Sequence, residues 1–219
     1  DGYTIRGSFQ ADFTENFLFD LRVTRAKDSD VPSGTYSINF ADFDPETGLG
    51  VPAPGRFTKP LEHASTTEGY FSRTMTNVNL TMTWDLADNL ELVSITHYLD
   101  HKKEYLEDAG GGLFFFPYQN DSDFRSRSQE FRLSGDADRL RWQTGFYYLD
   151  MTTDTNQNVA GAAILEESGA ISDSAQQFTF SSLDSRNLSL FAQAEYDLAP
   201  NMTLIGGIRW SADSKRLDF

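Results

Sequence analysis

The chain has 219 residues, no cysteine and a formal net charge of −15. The acidic balance argues against a nucleic-acid-binding protein, which needs a basic surface to displace counterions. The lack of cysteine excludes a disulfide scaffold, a thiolate metal site and a cysteine nucleophile. No apolar run approaches the ~20 residues of a membrane helix, but a membrane β-barrel distributes its apolar residues in alternation.

Alternating apolar and polar side chains begin at the N-terminus and predict a β-strand there. Within residues 3–13, Tyr3 and Phe9 fall on one parity and Arg6 on the other. Successive side chains of a strand point to opposite faces, so this pattern gives one apolar and one polar face. A second alternating run at 17–23 completes a hairpin.

The same pattern recurs three more times along the chain. The predicted hairpins lie at about 3–27, 76–101, 125–150 and 185–215, and the long connections between them at about 28–73, 102–124 and 154–184. One strand is ambiguous, because Val93 and Ile95 fall on the parity opposite to Leu90 and Leu92. The sequence therefore leaves the phase of strand 90–100 open.

Tight turns alternate with long connections, and the long connections carry most of the net negative charge. Strands of about 10 residues cross a membrane when tilted, and outer-membrane barrels have short turns at one end and long loops at the other. The sequence predicts an all-β fold: an antiparallel, up-and-down transmembrane β-barrel segment of about eight strands, with short periplasmic turns and long extracellular loops. Aromatic residues near the strand ends are predicted to form interfacial girdles; they are Tyr3, Phe13, Phe17, Trp84, Tyr98, Trp142, Tyr148, Tyr196 and Trp210.

Alternation does not by itself determine which face is buried, since a small soluble barrel is apolar inside and polar outside. The aromatic girdles and the unequal connections favour a polar lumen. The predicted lumen-facing charges are Asp20, Arg22, Glu91, Arg132, Arg141, Glu195 and Arg209. We expect most of these arginines to pair with the acids.

Two hairpins and one further strand of the chain resemble parts of TonB-dependent outer-membrane receptors. They are 128–134 (Ser-Gln-Glu-Phe-Arg-Leu-Ser) with 140–148 (Leu-Arg-Trp-Gln-Thr-Gly-Phe-Tyr-Tyr), 187–198 (Asn-Leu-Ser-Leu-Phe-Ala-Gln-Ala-Glu-Tyr-Asp-Leu) with 202–210, and 94–98 (Ser-Ile-Thr-His-Tyr). His97 stands where the family usually has glycine, and Trp210 where it usually has tyrosine. The resemblance extends to the residue types over most of 78–217, and only to the alternating pattern over 1–27.

The resemblance implies a barrel of about 22 strands with a plugged lumen, of which this chain supplies about eight. The plug domain and the TonB box are then expected outside this chain. The implied function is uptake of a scarce nutrient, such as a ferric siderophore, a vitamin or a glycan, across the Gram-negative outer membrane. The implied partners are outer-membrane lipid and lipopolysaccharide, the plug domain, the TonB complex and a small-molecule nutrient ligand; no nucleic acid is expected.

An aromatic cluster follows three glycines in the second long connection. Phe114, Phe115, Phe116 and Tyr118 lie within nine residues of Gly110. Adjacent aromatic residues on a surface can mark an interaction site, so these four are the candidate ligand-binding residues. The alternative is that they pack against neighbouring loops or the plug.

The sequence predicts no metal, no cofactor and no catalytic site. On a strand, His97 and His101 lie ~13 Å apart, too far to share one ion. The acid pairs at 28–30, 42–44 and 121–123 match no complete Ca²⁺ loop. No hydrolase or phosphate-binding motif occurs, so the chain is not predicted to be an enzyme.

Two other functions remain open at this stage. A complete eight-stranded barrel would serve in anchoring or adhesion, and a soluble carbohydrate-binding β module would carry the polar parity outside. Dependence on detergent would separate the soluble module from the two membrane proteins. An eight-stranded piece of a larger barrel has two unpaired edges, so we expect the isolated segment not to fold stably in a membrane.

Overall fold

The computed structural model describes residues 1–31, 40–43, 50–52, 68–108, 117–160 and 176–219, and their regular elements are all β-strands. The strands are β1 (Gly2–Thr14), β2 (Phe17–Val31), β3 (Phe40–Phe43), β4 (Gly50–Pro52), β5 (Tyr70–Ala87), β6 (Leu90–Asp108), β7 (Pro117–Ala137), β8 (Leu140–Ala160), β9 (Gln176–Ala199) and β10 (Met202–Asp218). Eight of them form one antiparallel sheet in the order β1-β2-β5-β6-β7-β8-β9-β10, and β3 pairs with β4 separately. This up-and-down order confirms the predicted all-β fold. A helix long and apolar enough to cross a membrane is absent from the described residues.

Several strands continue well beyond their predicted ends. β6 reaches Asp108 and β7 begins at Pro117, so the connection predicted at 102–124 is largely strand. In the same way β8 and β9 extend into the predicted connection 154–184. The predicted boundaries were wrong here because the strict apolar alternation stops before the pairing does.

The sheet presents a large apolar face that no other layer of the described structure covers. Among the described residues only Ala26 and Ala160 are buried hydrophobic side chains, whereas Leu190 is 52 % and Ile208 76 % exposed. An exposed apolar surface of this kind indicates contact with lipid or with another protein. Cross-strand register places all nine predicted girdle aromatics on this apolar face.

Cross-strand register also settles the phase of β6. Leu92 lies opposite Trp84, and Tyr98 opposite Val78, so these β6 residues share the apolar face. Val93 therefore lies on the polar face, although its side chain is apolar. The phase was ambiguous in the sequence because, in this part of β6, apolar residues lie on the polar face and polar residues on the apolar face.

Two polar β6 residues on the apolar face are satisfied by one glutamine of β7. The hydroxyl of Thr96 donates to Gln129 Oε1 at 2.6 Å, and Gln129 Nε2 donates to the hydroxyl of Ser94 at 2.9 Å. Ser94 is only 7 % exposed. Because the polar atoms bond one another, the group costs far less in an apolar environment than three unpaired side chains would.

The tight turns are bonded to the neighbouring hairpins by a recurring contact. Asn16 Nδ2 donates to the carbonyl oxygen of Asp85 at 3.1 Å, and Asp85 N donates back to the Asn16 carbonyl at 2.9 Å. Asn89 and Asp136 repeat the exchange at 2.7 and 3.1 Å. These contacts hold successive hairpins in register at the turn end of the sheet.

Replacing Asn89 with alanine is expected to destabilise the folded protein by about 1 kcal/mol, since it removes the side-chain hydrogen bond to the Asp136 carbonyl. The measurement is a urea-unfolding midpoint in detergent micelles. Asp88→Ala in the same turn is the control, because Asp88 forms no hydrogen bond with any described residue. Equal midpoints for the two variants would contradict a stabilising role for this contact.

Candidate functional site

The polar face of the sheet brings together all seven charges that the sequence singles out. Asp20 faces Thr81 on β5, and successive cross-strand partners continue the same face through Glu130 on β7 to Ser189 on β9. The predicted charges at 20, 22, 91, 132, 141, 195 and 209 all have the parity of this face. The alternation therefore predicted a shared surface that spans β2 to β10.

Three of the predicted arginines form ion pairs on the polar face. Arg22 contacts Asp20 at 2.8 Å, and Arg132 pairs with Glu130, an acid that the sequence reading had not selected. Ion pairs this exposed contribute about 0–1 kcal/mol each. Their main effect is to keep the polar face close to neutral where the strands run side by side.

Arg141 joins two acids of the neighbouring strand. It contacts Glu195 at 3.4 Å and Asp197 at 2.9 Å, and Thr203 also donates to Asp197 at 2.7 Å. Sequence reading identified Glu195 as a partner but missed Asp197. The contact ties β8 to β9 close to the turn between β9 and β10.

Arg209 differs from the other three because it contacts no carboxylate of the described residues. Its guanidinium donates to the hydroxyls of Ser189 at 3.1 Å and Ser211 at 3.2 Å, and it lies 5.8 Å from the ring centroid of Phe191. Ser189 is fully buried and also donates to Asn187 at 2.8 Å. The guanidinium is thus fixed in place by hydroxyl groups and a ring, without its charge being compensated.

A concave pocket of about 550 Å³ opens beside this arginine on the polar face. The lining residues are Glu130, Arg132, Gln143, Tyr147, Phe191 and Arg209. The ring of Phe191, which lines the pocket, packs against Gly145, and a Cβ at residue 145 would clash with Phe191 Cζ. Its mixture of cations, amide and aromatic rings suits a polar partner.

An aromatic row crosses the polar face near the long connections. The ring centroids of Phe71 and Tyr105 are 6.4 Å apart, and those of Tyr105 and Tyr118 are 6.5 Å apart. Gln157 Nε2 donates to the Tyr118 hydroxyl at 3.4 Å. Arg73 extends the row, 6.0 Å from the Phe71 centroid.

Of the four predicted ligand-binding aromatics, only Tyr118 falls in the described part of the chain, and it belongs to this row. Phe114, Phe115 and Phe116 lie outside the described residues. Sequence reading missed Tyr105, since it fell inside a predicted connection. The available signal was its odd residue number, because continuing the alternation of β6 from His97 places Tyr105 on the same face.

Two ionisable groups near this end of the sheet have shifted pKa values. Burial raises the pKa of the Tyr70 hydroxyl, and the nearby carboxylates of Asp121 and Glu104 raise it further. Burial lowers the pKa of His101, with an added contribution from the positive charge of Arg73. Within the described residues no three His, Asp or Glu side chains form a group that could hold a metal ion.

Comparison with known proteins assigns the fold. The sequence matches the family model described as TonB dependent receptor-like, beta-barrel, over residues 19–218. The chain belongs to this family of outer-membrane receptor barrels. The resemblance read from the sequence is thereby confirmed. No curated protein sequence matches the chain significantly.

Solved receptors share the architecture at low sequence identity. The ferric yersiniabactin uptake receptor FyuA from Yersinia pestis matches 99 % of this chain with a TM-score of 0.61 and 12 % identity. BauA, the ferric preacinetobactin receptor from Acinetobacter baumannii, matches 99 % with a TM-score of 0.61 and 13 % identity. The chain spans 38 % and 34 % of the length of these two receptors.

Proposed function

We propose that this chain forms part of the barrel wall of a TonB-dependent receptor that takes up a scarce nutrient across the Gram-negative outer membrane. The observation that carries the proposal is the family match over residues 19–218 of an antiparallel sheet with one apolar and one polar face. The apolar face meets lipid, and the polar face lines the passage. Backbone pairing within the sheet satisfies the hydrogen-bonding groups that lipid cannot.

The open edges of the sheet favour a segment of a larger barrel over a closed eight-stranded one. Among the described strands β1 pairs only with β2, and β10 only with β9. The span of the match to the two solved receptors supports the same assignment. In this proposal the remaining strands and the plug domain complete the barrel, and the TonB complex supplies energy. The protein is a transporter rather than an enzyme.

The nutrient class is proposed from the structural neighbours together with the aromatic row. Both neighbours are receptors for ferric siderophores by name, and a vitamin or a glycan would use the same architecture. We propose that Tyr118, together with Phe114, Phe115 and Phe116, contacts the ligand at the extracellular end. Aromatic rings offer broad, rigid contact area at low entropic cost. Lipopolysaccharide and outer-membrane lipid surround the wall.

The intact mass and uptake activity of the gene product test this function. We expect a protein several times heavier than 24.6 kDa in the outer-membrane fraction. We also expect its deletion to abolish growth on one ferric siderophore, vitamin or glycan of a panel supplied as the limiting nutrient. An outer-membrane product near the mass of this chain would replace the transporter with a small anchoring barrel. Its absence from membranes would favour a soluble module.

Replacing Tyr118 with alanine is expected to weaken ligand binding about tenfold, because a ring that packs against Tyr105 and its ligand contact are lost together. The measurement is the Kd of the receptor for the nutrient identified in the growth panel. Tyr118→Phe keeps the ring and removes only the weak hydrogen bond from Gln157, so its Kd should stay within about threefold of wild type. Unchanged binding by Tyr118→Ala would remove Tyr118 from the site.

A further inference from the structure

Three side-chain oxygens on the extended parts of β7 and β8 are buried without a hydrogen-bond partner. They are Asp121 Oδ1, Asn156 Oδ1 and Asn158 Oδ1, and no other buried polar side-chain atom of the described, unexposed residues is in this state. A buried acceptor without a partner has lost its bonds to water and is destabilising. Native structures usually supply the missing partner as an ordered water or a bound ion. The concentration of all three oxygens in one place therefore indicates a common ligand.

The strand register places these three side chains next to one another on the apolar side of the sheet. Asp121 lies directly opposite Asn156, and Asn158 follows on the same face two residues later. Directly opposite residues have Cβ atoms about 5 Å apart, and same-face neighbours along a strand are about 7 Å apart. Distances from Ca²⁺ to its oxygen ligands are about 2.3–2.6 Å. One ion above these positions is thus within reach of all three side chains.

Two neighbouring side chains prepare this position for a cation. Gln119 Nε2 donates to Asp121 Oδ2 at 2.8 Å, which fixes the carboxylate and leaves Oδ1 without a partner. Glu104 lies directly opposite Asp121 on β6 and forms no hydrogen bond or ion pair with the described residues. Both carboxylates raise the pKa of the Tyr70 hydroxyl, after the larger effect of burial. Two negative charges therefore act on the same small region.

We propose that Asp121, Asn156 and Asn158, together with Glu104, bind a Ca²⁺ ion where the extended β6, β7 and β8 run side by side. Along β7, Asp121 lies six residues, or about 20 Å, beyond the residue opposite Tyr98, so the ion is remote from the aromatic girdle. Ca²⁺ accepts carboxylate and amide oxygens in flexible geometry, and water completes its six to eight ligands.

The composition of the cluster favours a cation over a single water. A water molecule donates two hydrogen bonds, which is too few for three acceptors. With two acids and two amides the cluster is compatible with the absence of any group of three His, Asp or Glu side chains among the described residues. It is also compatible with the lack of a continuous Ca²⁺ loop at 121–123, because the ligands come from three strands.

The test measures binding of Ca²⁺ alone to the intact receptor in detergent by equilibrium dialysis, after removal of bound metal with EDTA. We expect wild type to bind about one ion more than Asp121→Asn, with a Kd of about 0.1–1 mM, as in extracellular Ca²⁺ modules. Asn156→Asp adds a carboxylate and should tighten binding about threefold or more. The matched control is Asp123→Asn on the same strand and face. Its carboxylate is already paired with Lys102 at 3.2 Å, so Kd should stay within about threefold of wild type.

Thermal midpoints of the same variants separate a metal ligand from a structural residue. With Ca²⁺ we expect wild type to be more stable than Asp121→Asn, since the ion binds the folded state. With EDTA the difference should vanish or reverse, because wild type then carries a partly buried charge without a counterion. A lower midpoint of Asp121→Asn under both conditions overturns the site.

Two further results would also contradict the Ca²⁺ site. Equal loss of Ca²⁺ in Asp121→Asn and Asp123→Asn indicates a diffuse negative field. Weaker binding and a lower midpoint in Asn156→Asp indicate that an amide nitrogen is the partner of Asp121. Nutrient uptake plays no part in these measurements, so failure of this inference leaves the proposed function unaffected.

Discussion

Replacing Leu190 with arginine is expected to destabilise the membrane-inserted receptor by about 2–4 kcal/mol. Leu190 lies on the apolar face, directly opposite Phe146 on β8 and Trp210 on β10. A guanidinium at this depth would have to leave water, and the described apolar face offers it no carboxylate in the adjacent positions. The measurement is the free energy of unfolding in lipid bilayers, obtained from a urea titration.

The matched control for this change lies three residues away on the same strand. Gln193 faces the polar side, opposite Gln143, so Gln193→Arg should change stability by less than about 1 kcal/mol. The comparison keeps the strand, the introduced side chain and its charge constant, and places the arginine on opposite faces. Near-equal effects of Leu190→Arg and Gln193→Arg would refute the assignment of the apolar face to lipid.

Replacing Gly145 with alanine is expected to cost about 1–3 kcal/mol through overpacking. A Cβ at residue 145 would lie 2.3 Å from Phe191 Cζ and 2.7 Å from the carbonyl oxygen of Phe131. The ring can rotate away, but the carbonyl belongs to the β7 backbone and is held by the sheet. The expected readout is a lower midpoint of unfolding in detergent. Displacement of the Phe191 ring would also remove the contact that this ring makes with the guanidinium of Arg209.

Two companion variants test this explanation. A Cβ at Gly206 would meet nothing within 4 Å, so Gly206→Ala should leave the midpoint unchanged. In a Phe191→Ala background the ring clash disappears and only the carbonyl contact remains, so adding Gly145→Ala should cost less than it does in wild type. A full cost in both backgrounds would assign the effect to the backbone carbonyl alone.

For most strands, the sequence was sufficient to predict which side chains lie on the same face of the sheet. The charges on β2, β7, β8, β9 and β10 share one face because alternation with period two is a direct consequence of the pleat. β6 was the exception, since Val93 and Ser94 each have the polarity typical of the opposite face. Only the pairing with Gln129 explains why this inversion is tolerated, and that pairing joins residues 35 positions apart.

The strand ends and the aromatic row could not be predicted from the sequence. From Asp100 to Glu104 both faces of β6 are polar, so alternation no longer distinguishes strand from loop. Tyr105 and Phe71 meet because β5 and β6 continue to pair in that region, and no local pattern records such pairing. Arg132 likewise pairs with Glu130, two residues away on its own strand, and not with one of the acids that the sequence predicted as partners.

The hydrogen-bonded trio of Ser94, Thr96 and Gln129 constrains how these positions can change over evolutionary time. An apolar replacement of Gln129 alone leaves two hydroxyls unpaired on the apolar face, whereas replacing all three by apolar residues leaves no polar side chain unpaired. A single replacement within the trio is therefore expected to lower stability more than the simultaneous replacement of all three residues. Among relatives we expect the three positions to be polar together or apolar together, with mixed combinations rare.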